Sequence, residues 1–243
     1  MSLSKTFQLN TYDCNCDQNI KISSLMKFFQ QTAREDLDAM DITYNRMREH
    51  NIVFVLTKVN LKLLKKIPAD NDIIVSTIPI SESGVRFIRD FSVKISGEDE
   101  FCAVCSTEWV LIDFASRKLL RSSALPWKIK MDPKIIDISP VKTNVLSESD
   151  YHASMNVTYS MIDENLHLNN TRYADIIFDH IDKNINFNCN IESFNIDFLH
   201  EAHLGDTLEI NYKHDGNNIS VLGKNLTCGN NCFSACLFAK EKN

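Results

Sequence analysis

The stretch from Asp163 to Asp182 reads DENLHLNNTRYADIIFDHID, and two periods run through it. Asp163, Asn165, His167 and Asn169 alternate with Glu164, Leu166 and Leu168. An extended backbone therefore sets the polar side chains on one side. From Thr171 to about Asp182 the apolar residues Tyr173, Ile176, Ile177 and Ile181 recur at helical spacing, with Asn169 or Asn170 placed to cap the helix. A polar segment running into a helix puts its side chains beside unpaired N–H groups. The helix dipole favours negative charge there.

The same succession occurs earlier in the chain. Asp13-Cys14-Asn15-Cys16-Asp17 precedes a helix expected from Ser24 to Met40, capped by Ser23 or Ser24 and striped by Leu25, Phe28, Phe29, Ala33 and Leu37. A shift of 150 residues superposes Asp13 on Asp163, Asn15 on Asn165 and Phe28 on Phe178, and sets Asp17 at His167. Strands follow each helix: Val53–Leu64, Asp72–Ser81, Val85–Ile95 and Phe101–Phe114, then Ile191–Leu199, Thr207–His214, Ile219–Leu226 and Cys232–Lys240. Between the halves Pro126, Pro133 and Pro140 lie among serines such as Ser122 and Ser147, and no period runs through the segment. The organisation expected is residues 1–121, a linker over 122–150, and residues 151–243. The fold class is α+β, a tandem double hot-dog, each half an antiparallel sheet wrapped around one long helix.

Composition narrows the function. The 243 residues are 44% apolar and 24% charged, ordinary for a folded domain. No run approaches the roughly 18 apolar residues of a membrane helix, and the first residues lack the apolar core of a signal peptide. Neither membrane insertion nor secretion is expected, and the location expected is cytoplasmic. Cys102 and Cys105 stand three apart on a strand, which points them to opposite faces. Cys228, Cys232 and Cys236 have no histidine or second pair at zinc-site spacing. No metal and no cofactor is called for. The net charge is −6; residues 1–150 carry 20 basic and 20 acidic side chains, and residues 151–243 carry 6 and 12. No basic footprint for nucleic acid is present, and an acidic partner should prefer the first half.

The cluster resembles the D-x-N-x-H-x-N-N-x-x-Y motif of the acyl-acyl carrier protein thioesterases, the plant and bacterial family that ends fatty-acid synthesis. Other segments match in order: Gly84-Val85-Arg86-Phe87-Ile88-Arg89-Asp90-Phe91, Ser106-Thr107-Glu108-Trp109-Val110-Leu111-Ile112-Asp113, Pro68-Ala69-Asp70-Asn71-Asp72, and Asp197-Phe198-Leu199-His200-Glu201-Ala202. The resemblance implies a double hot-dog whose first half holds the acyl chain and whose second half cuts the thioester. It implies Asp163, Asn165, His167 and Glu201 as catalytic residues. Asn169, Asn170, Tyr173, Phe28 and Trp109 are candidates for contact with substrate. One position departs from the family pattern: a cysteine nucleophile proposed just after the glutamate is replaced by Ala202, so Cys–His chemistry is excluded there.

Carboxylate chemistry remains. Glu201 can deprotonate water or attack the thioester itself to form an anhydride; water activation is simpler, and a neighbouring Asp163 would raise its pKa. Asn165 would orient water or hold the oxyanion, His167 would hold the water or protonate the leaving thiolate, and Asp163 would orient its neighbours. The expected substrate is a fatty acyl chain on acyl carrier protein. An acyl-CoA thioesterase and a non-catalytic acyl-binding module are the competing readings. A hot-dog dehydratase would lack the Asp-Asn-His spacing. An acidic carrier would dock on one of three basic clusters: Lys62, Lys65 and Lys66; Arg117, Lys118 and Arg121; or Lys128, Lys130 and Lys134. A homodimer is compatible with the sequence.

Overall fold

The computed structural model describes residues 3–134, 136–139, 142–143, 146 and 149–242, with only the backbone of residue 187. Pro140 and Ser147, two of the residues taken to mark the linker, lie outside the described residues. The chain forms two compact units, Met1–Pro140 and Val141–Asn243.

In the first unit, strand β1 (Leu3–Gln8) leads to helix α1 (Ile22–Ala39) and a short helix α2 (Tyr44–Glu49). Strands β2 (Ile52–Leu63), β3 (Asp72–Ser83), β4 (Arg86–Ile95), β5 (Ala103–Asp113) and the two-residue β6 (Leu119–Leu120) follow. The strand order is β1-β3-β4-β5-β2, all pairs antiparallel, with β6 against β5. Leu25, Phe29 and Ala33 bury one face of α1 at i, i+4, i+8, and Phe29 stacks on Phe91 of β4 at 4.8 Å. Ser23 and Ser24 are buried within the helix instead of capping it. Its N-cap is Lys21, whose carbonyl accepts from the N–H groups of Ser24 and Leu25. Leu125, Ile136 and Ile138 are buried, so the segment after Arg121 packs on this unit.

The second unit repeats the plan. Strand β7 (Tyr151–Asn156) leads to α3 (Arg172–His180) and α4 (Lys183–Asn188), then to β8 (Cys189–Phe198), β9 (Thr207–Asp215), β10 (Asn218–Asn225) and β11 (Asn231–Glu241). The order β7-β9-β10-β11-β8 is again antiparallel throughout. Tyr173 of α3 meets Phe198 and Phe233 edge-on, and Phe178 stacks on Phe194, fixing the helix to the sheet. Each unit is a hot-dog. No described helix is long and apolar enough to cross a membrane.

The repeat holds, but its register is 148 residues, not 150. Asn15 N–H bonds to Asn19 C=O as Asp163 N–H bonds to His167 C=O, at 2.7 and 2.9 Å. The side chain of Asn15 accepts from the N–H groups of Asp17 and Asn19; that of Asp163 accepts from those of Asn165 and His167. Gln18 and Leu166 share a left-handed backbone, φ 59° and 64°. Matching identical residues had paired Asp13 with Asp163, whereas the backbone pairs Asn15 with it. Asn19, not Asp17, therefore stands where His167 stands.

Candidate active site

The Asp163 loop is a tight turn and not an extended segment. Asp163 offers its carboxylate to two backbone N–H groups, at 2.8 Å from Asn165 and 3.4 Å from His167, and this local bonding outcompetes a strand ladder. Leu166 takes the left-handed conformation that closes the turn and points its side chain to solvent. Asp163 thus acts through the backbone: it shapes the loop that carries Asn165 and His167. Asn169 ends the loop by accepting from the N–H and hydroxyl of Thr171. The N-cap of α3 is Thr171, without a side-chain cap, so Asn169 fixes the residue before the helix and does not cap it as the sequence suggested. Asn170 follows it, partly exposed, just before α3.

Glu201 arrives from the connection between β8 and β9. Two backbone contacts zip this connection to the Asp163 loop: Leu168 N–H donates to Ala202 C=O at 2.8 Å, and His167 pairs with His203 as an isolated antiparallel bridge. His167 Nδ1 consequently lies 3.4 Å from Glu201 Oε1, across 34 residues of sequence. Both side chains are partly open, 24% and 37% exposed, so a substrate can reach them. Beneath them Tyr173 is buried and hydrogen-bonded to the backbone of Ala202, and burial raises its phenol pKa. Its ring supports the floor under Glu201 and is packed away from solvent. The structure therefore brings His167 and Glu201 together, with Asp163 bonded to the backbone of the same loop and Asn165 carried on that loop with its side chain exposed. His203, which sequence reasoning passed over, joins them: its ring stands at 90° to that of His167 with centroids 4.8 Å apart.

Thiol chemistry finds no support here. Ala202 is fully buried directly after Glu201. Burial pushes the Cys232 thiol up to about 12, and that of Cys105 well up, so both stay protonated and unreactive.

The first unit carries the same scaffold without the histidine and the glutamate. Ile20 N–H donates to Ile67 C=O, and Asn19 bridges Pro68, as Leu168 and His167 engage Ala202 and His203. This correspondence sets Lys66 where Glu201 stands. The positions of His167 and Glu201 are held by an amide, Asn19, and an ammonium, Lys66, in the first. Asp17→Asn and Asn19→Ala are accordingly expected to leave turnover of a small thioester within a few-fold of the parent in a steady-state assay.

What the first unit offers is a cavity of about 180 Å³ beneath α2, lined by Leu37, Ile42, Met47, Phe54, Phe87 and Trp109 among others. Trp109 lines it with Nε1 tied to Thr107 Oγ1 at 2.9 Å. Phe28 is not among its lining residues. It stacks on Phe7 of β1 at 4.4 Å, which seals the edge of the sheet. Arg89 reaches the cavity wall, where it donates to Asp36 at 2.7 Å and to Thr77 at 3.0 Å.

Comparison with known proteins agrees with this architecture. Residues 1–123 match the acyl-ACP thioesterase N-terminal domain, and residues 145–231 match the acyl-ACP thioesterase C-terminal domain. A palmitoyl-acyl carrier protein thioesterase of Arabidopsis thaliana chloroplasts is 22% identical over 213 residues, 82% of this chain and 52% of that protein. The chain thus spans about half the length of the curated relatives it matches. An acyl-ACP thioesterase from Bacteroides thetaiotaomicron superposes with a TM-score of 0.87 at 18% identity, covering 98% of both chains. The 12:0-ACP thioesterase from Umbellularia californica gives 0.85 at 17% identity, covering 99% of this chain and 98% of that one. With both units matched in order and the tandem double hot-dog fold shared, the chain belongs to the acyl-ACP thioesterase family.

Proposed function

We propose that this protein hydrolyses the thioester of a fatty acyl chain carried on acyl carrier protein and releases the free acid, at the Asp163–Glu201 cluster of the second unit. The observation that carries the reading is the 3.4 Å approach of His167 to Glu201 in a chain of this family. Glu201 takes a proton from water, whose oxygen attacks the carbonyl carbon. Asn165 holds the oxyanion, the C–S bond breaks, and the thiolate leaves with a proton supplied by His167. Asp163 positions Asn165 and His167 through their backbone. The apolar cavity of the first unit takes the acyl chain. All the residues given these roles come from one chain. The eight cysteines, none in a disulfide, fit a reducing compartment such as the cytoplasm.

Of the three basic clusters, the one at Arg117 and Lys118 fits an acidic carrier best. Lys65 is already paired with Glu98 and lies 3.7 Å from Glu100. By contrast, α2 adds Arg48 over the ring of Phe114, at the base of the turn carrying Arg117 and Lys118. Reversing Arg117 and Lys118 to Glu is expected to raise KM for acyl-ACP several-fold, with hydrolysis of a small thioester unchanged. Added salt should lower the carrier-dependent rate, because exposed charges are screened over roughly 10 Å at 0.1 M. The reading is tested by comparing kcat/KM for acyl-ACP and acyl-CoA of equal chain length. A higher value for acyl-ACP supports it. Preference for acyl-CoA transfers the reading to acyl-CoA hydrolysis, and no release of thiol from either makes the chain an acyl-binding protein.

A further inference from the structure

His167, Glu201 and His203 each offer one ligand atom, and these atoms lie within 4.8 Å of one another. Two imidazoles and a carboxylate are a donor set that suits zinc and neighbouring divalent transition metals. The geometry is close to what such an ion requires. Donors bound at the usual zinc distances stand about 3.4 Å apart on a tetrahedral ion. His167 Nδ1 and Glu201 Oε1 are separated by 3.4 Å before any ion arrives. The third ligand is held near by backbone, because His203 is bridged to His167 and its N–H donates to Asp206 at 2.8 Å. Its side chain is 56% exposed and already stands beside the His167 ring, centroids 4.8 Å apart. The Asp206 carboxylate lies 3.8 Å from the His203 ring and is itself fixed by the side-chain amide of Asn225 at 2.7 Å. Metal-bound imidazoles commonly keep such a carboxylate as an outer partner.

The first unit is an internal control. Its matching positions are Asn19, Lys66 and Pro68, a set that binds no such ion. The donor triad is therefore a property of these side chains and not of the shared backbone.

We infer that the second unit binds one divalent transition-metal ion, zinc being the best fit, through His167, Glu201 and His203, and that the bound ion inhibits hydrolysis reversibly. The ion would occupy the two groups that the mechanism needs free. The inhibitory half of this inference rests on the thioesterase reading; the binding half does not.

The test uses the full chain, free of any affinity tag and stripped with a chelator that is then removed. Zinc chloride is titrated by calorimetry, and cobalt(II) is followed by the visible absorption that distinguishes tetrahedral from hydrated ion. The expected result is one zinc per chain, a tetrahedral cobalt spectrum, full hydrolysis by the metal-free protein, and loss of hydrolysis on adding zinc that a chelator reverses. His203→Gln should raise both the zinc dissociation constant and the inhibitory concentration at least tenfold, inhibition being read against the variant's own metal-free rate. Absence of one-per-chain binding, or equal zinc affinity in His203→Gln and parent, would overturn the site. Zinc that binds and activates would overturn the inhibitory role. If neither carrier substrate is hydrolysed while binding behaves as expected, the site stands and only the thioesterase reading fails.

Discussion

Glu201→Gln is expected to lower turnover by at least about 100-fold, the scale of losing a general base, in a protein that remains folded. The amide has nearly the size of the carboxylate, so the zipped backbone at Ala202 is undisturbed, but it cannot accept a proton from water. His167→Ala should fall by a comparable amount, because the thiolate then leaves without its acid. Neither side chain belongs to the core, at 37% and 24% exposure, so circular dichroism and the urea midpoint should stay close to those of the parent. A steady-state assay of thiol release measures the effect. Because the two residues act as a unit, the double variant should lose little beyond the worse single one. A Glu201→Gln protein that keeps most of its rate would remove Glu201 from the mechanism. Cys102, Cys105 and Cys189 offer no substitute nucleophile in this account.

The second large effect falls on stability. Arg89 and Asp36 form an ion pair with both side chains under 10% exposed, where α1 meets β4. Burial lowers the pKa of the guanidinium, and the charge and hydrogen bond of Asp36 oppose that shift. Arg89→Leu leaves the Asp36 carboxylate buried without its partner and should destabilise the protein by about 3–5 kcal/mol. Arg89→Met combined with Asp36→Leu removes both charges and fills the space with apolar atoms, so the pair should be far closer to the parent than the single variant. Urea unfolding of the single and double variants checks this. Equal destabilisation in both would mean that the pair contributes through shape alone. Since Arg89 also lines the cavity, the double variant is the one in which a changed acyl-chain preference can be sought without loss of fold.

The long helices and the strands after them were legible because their periods are strong. Leu25, Phe29 and Ala33 face one way along α1, and predicted strand ends fall within a few residues of those observed. β1 and β7 lie at sheet edges, where outward residues such as Ser4, Thr6 and His152 are exposed and the inward ones are only partly buried, so neither carries the apolar run that marks the inner strands. α2 and α4 are six residues each, too short for a periodic stripe; their caps, Thr43 and Asp182, were the available signal. Period two is visible in the sequence of the Asp163 loop and predicts an extended segment, whereas the side chain to backbone bonding that makes it a turn is not. The same blindness misplaced the repeat register, since identical residues were matched where turn geometry sets the equivalence. His203 stood 36 positions from His167, and only the pairing of two loops makes them neighbours.

Hydrolysis is proposed to take place in the second unit and not at the matching scaffold of the first. Single-turnover release of labelled fatty acid from acyl-ACP, measured side by side for four proteins, tests it most directly: the parent, Glu201→Gln, His167→Ala, and the combined Asp17→Asn, Asn19→Ala variant. Release is expected to be near-parental for the first-unit variant and at least about 100-fold slower for the two second-unit variants. Near-parental release by Glu201→Gln and His167→Ala, or a comparable loss from the first-unit substitutions, would contradict it.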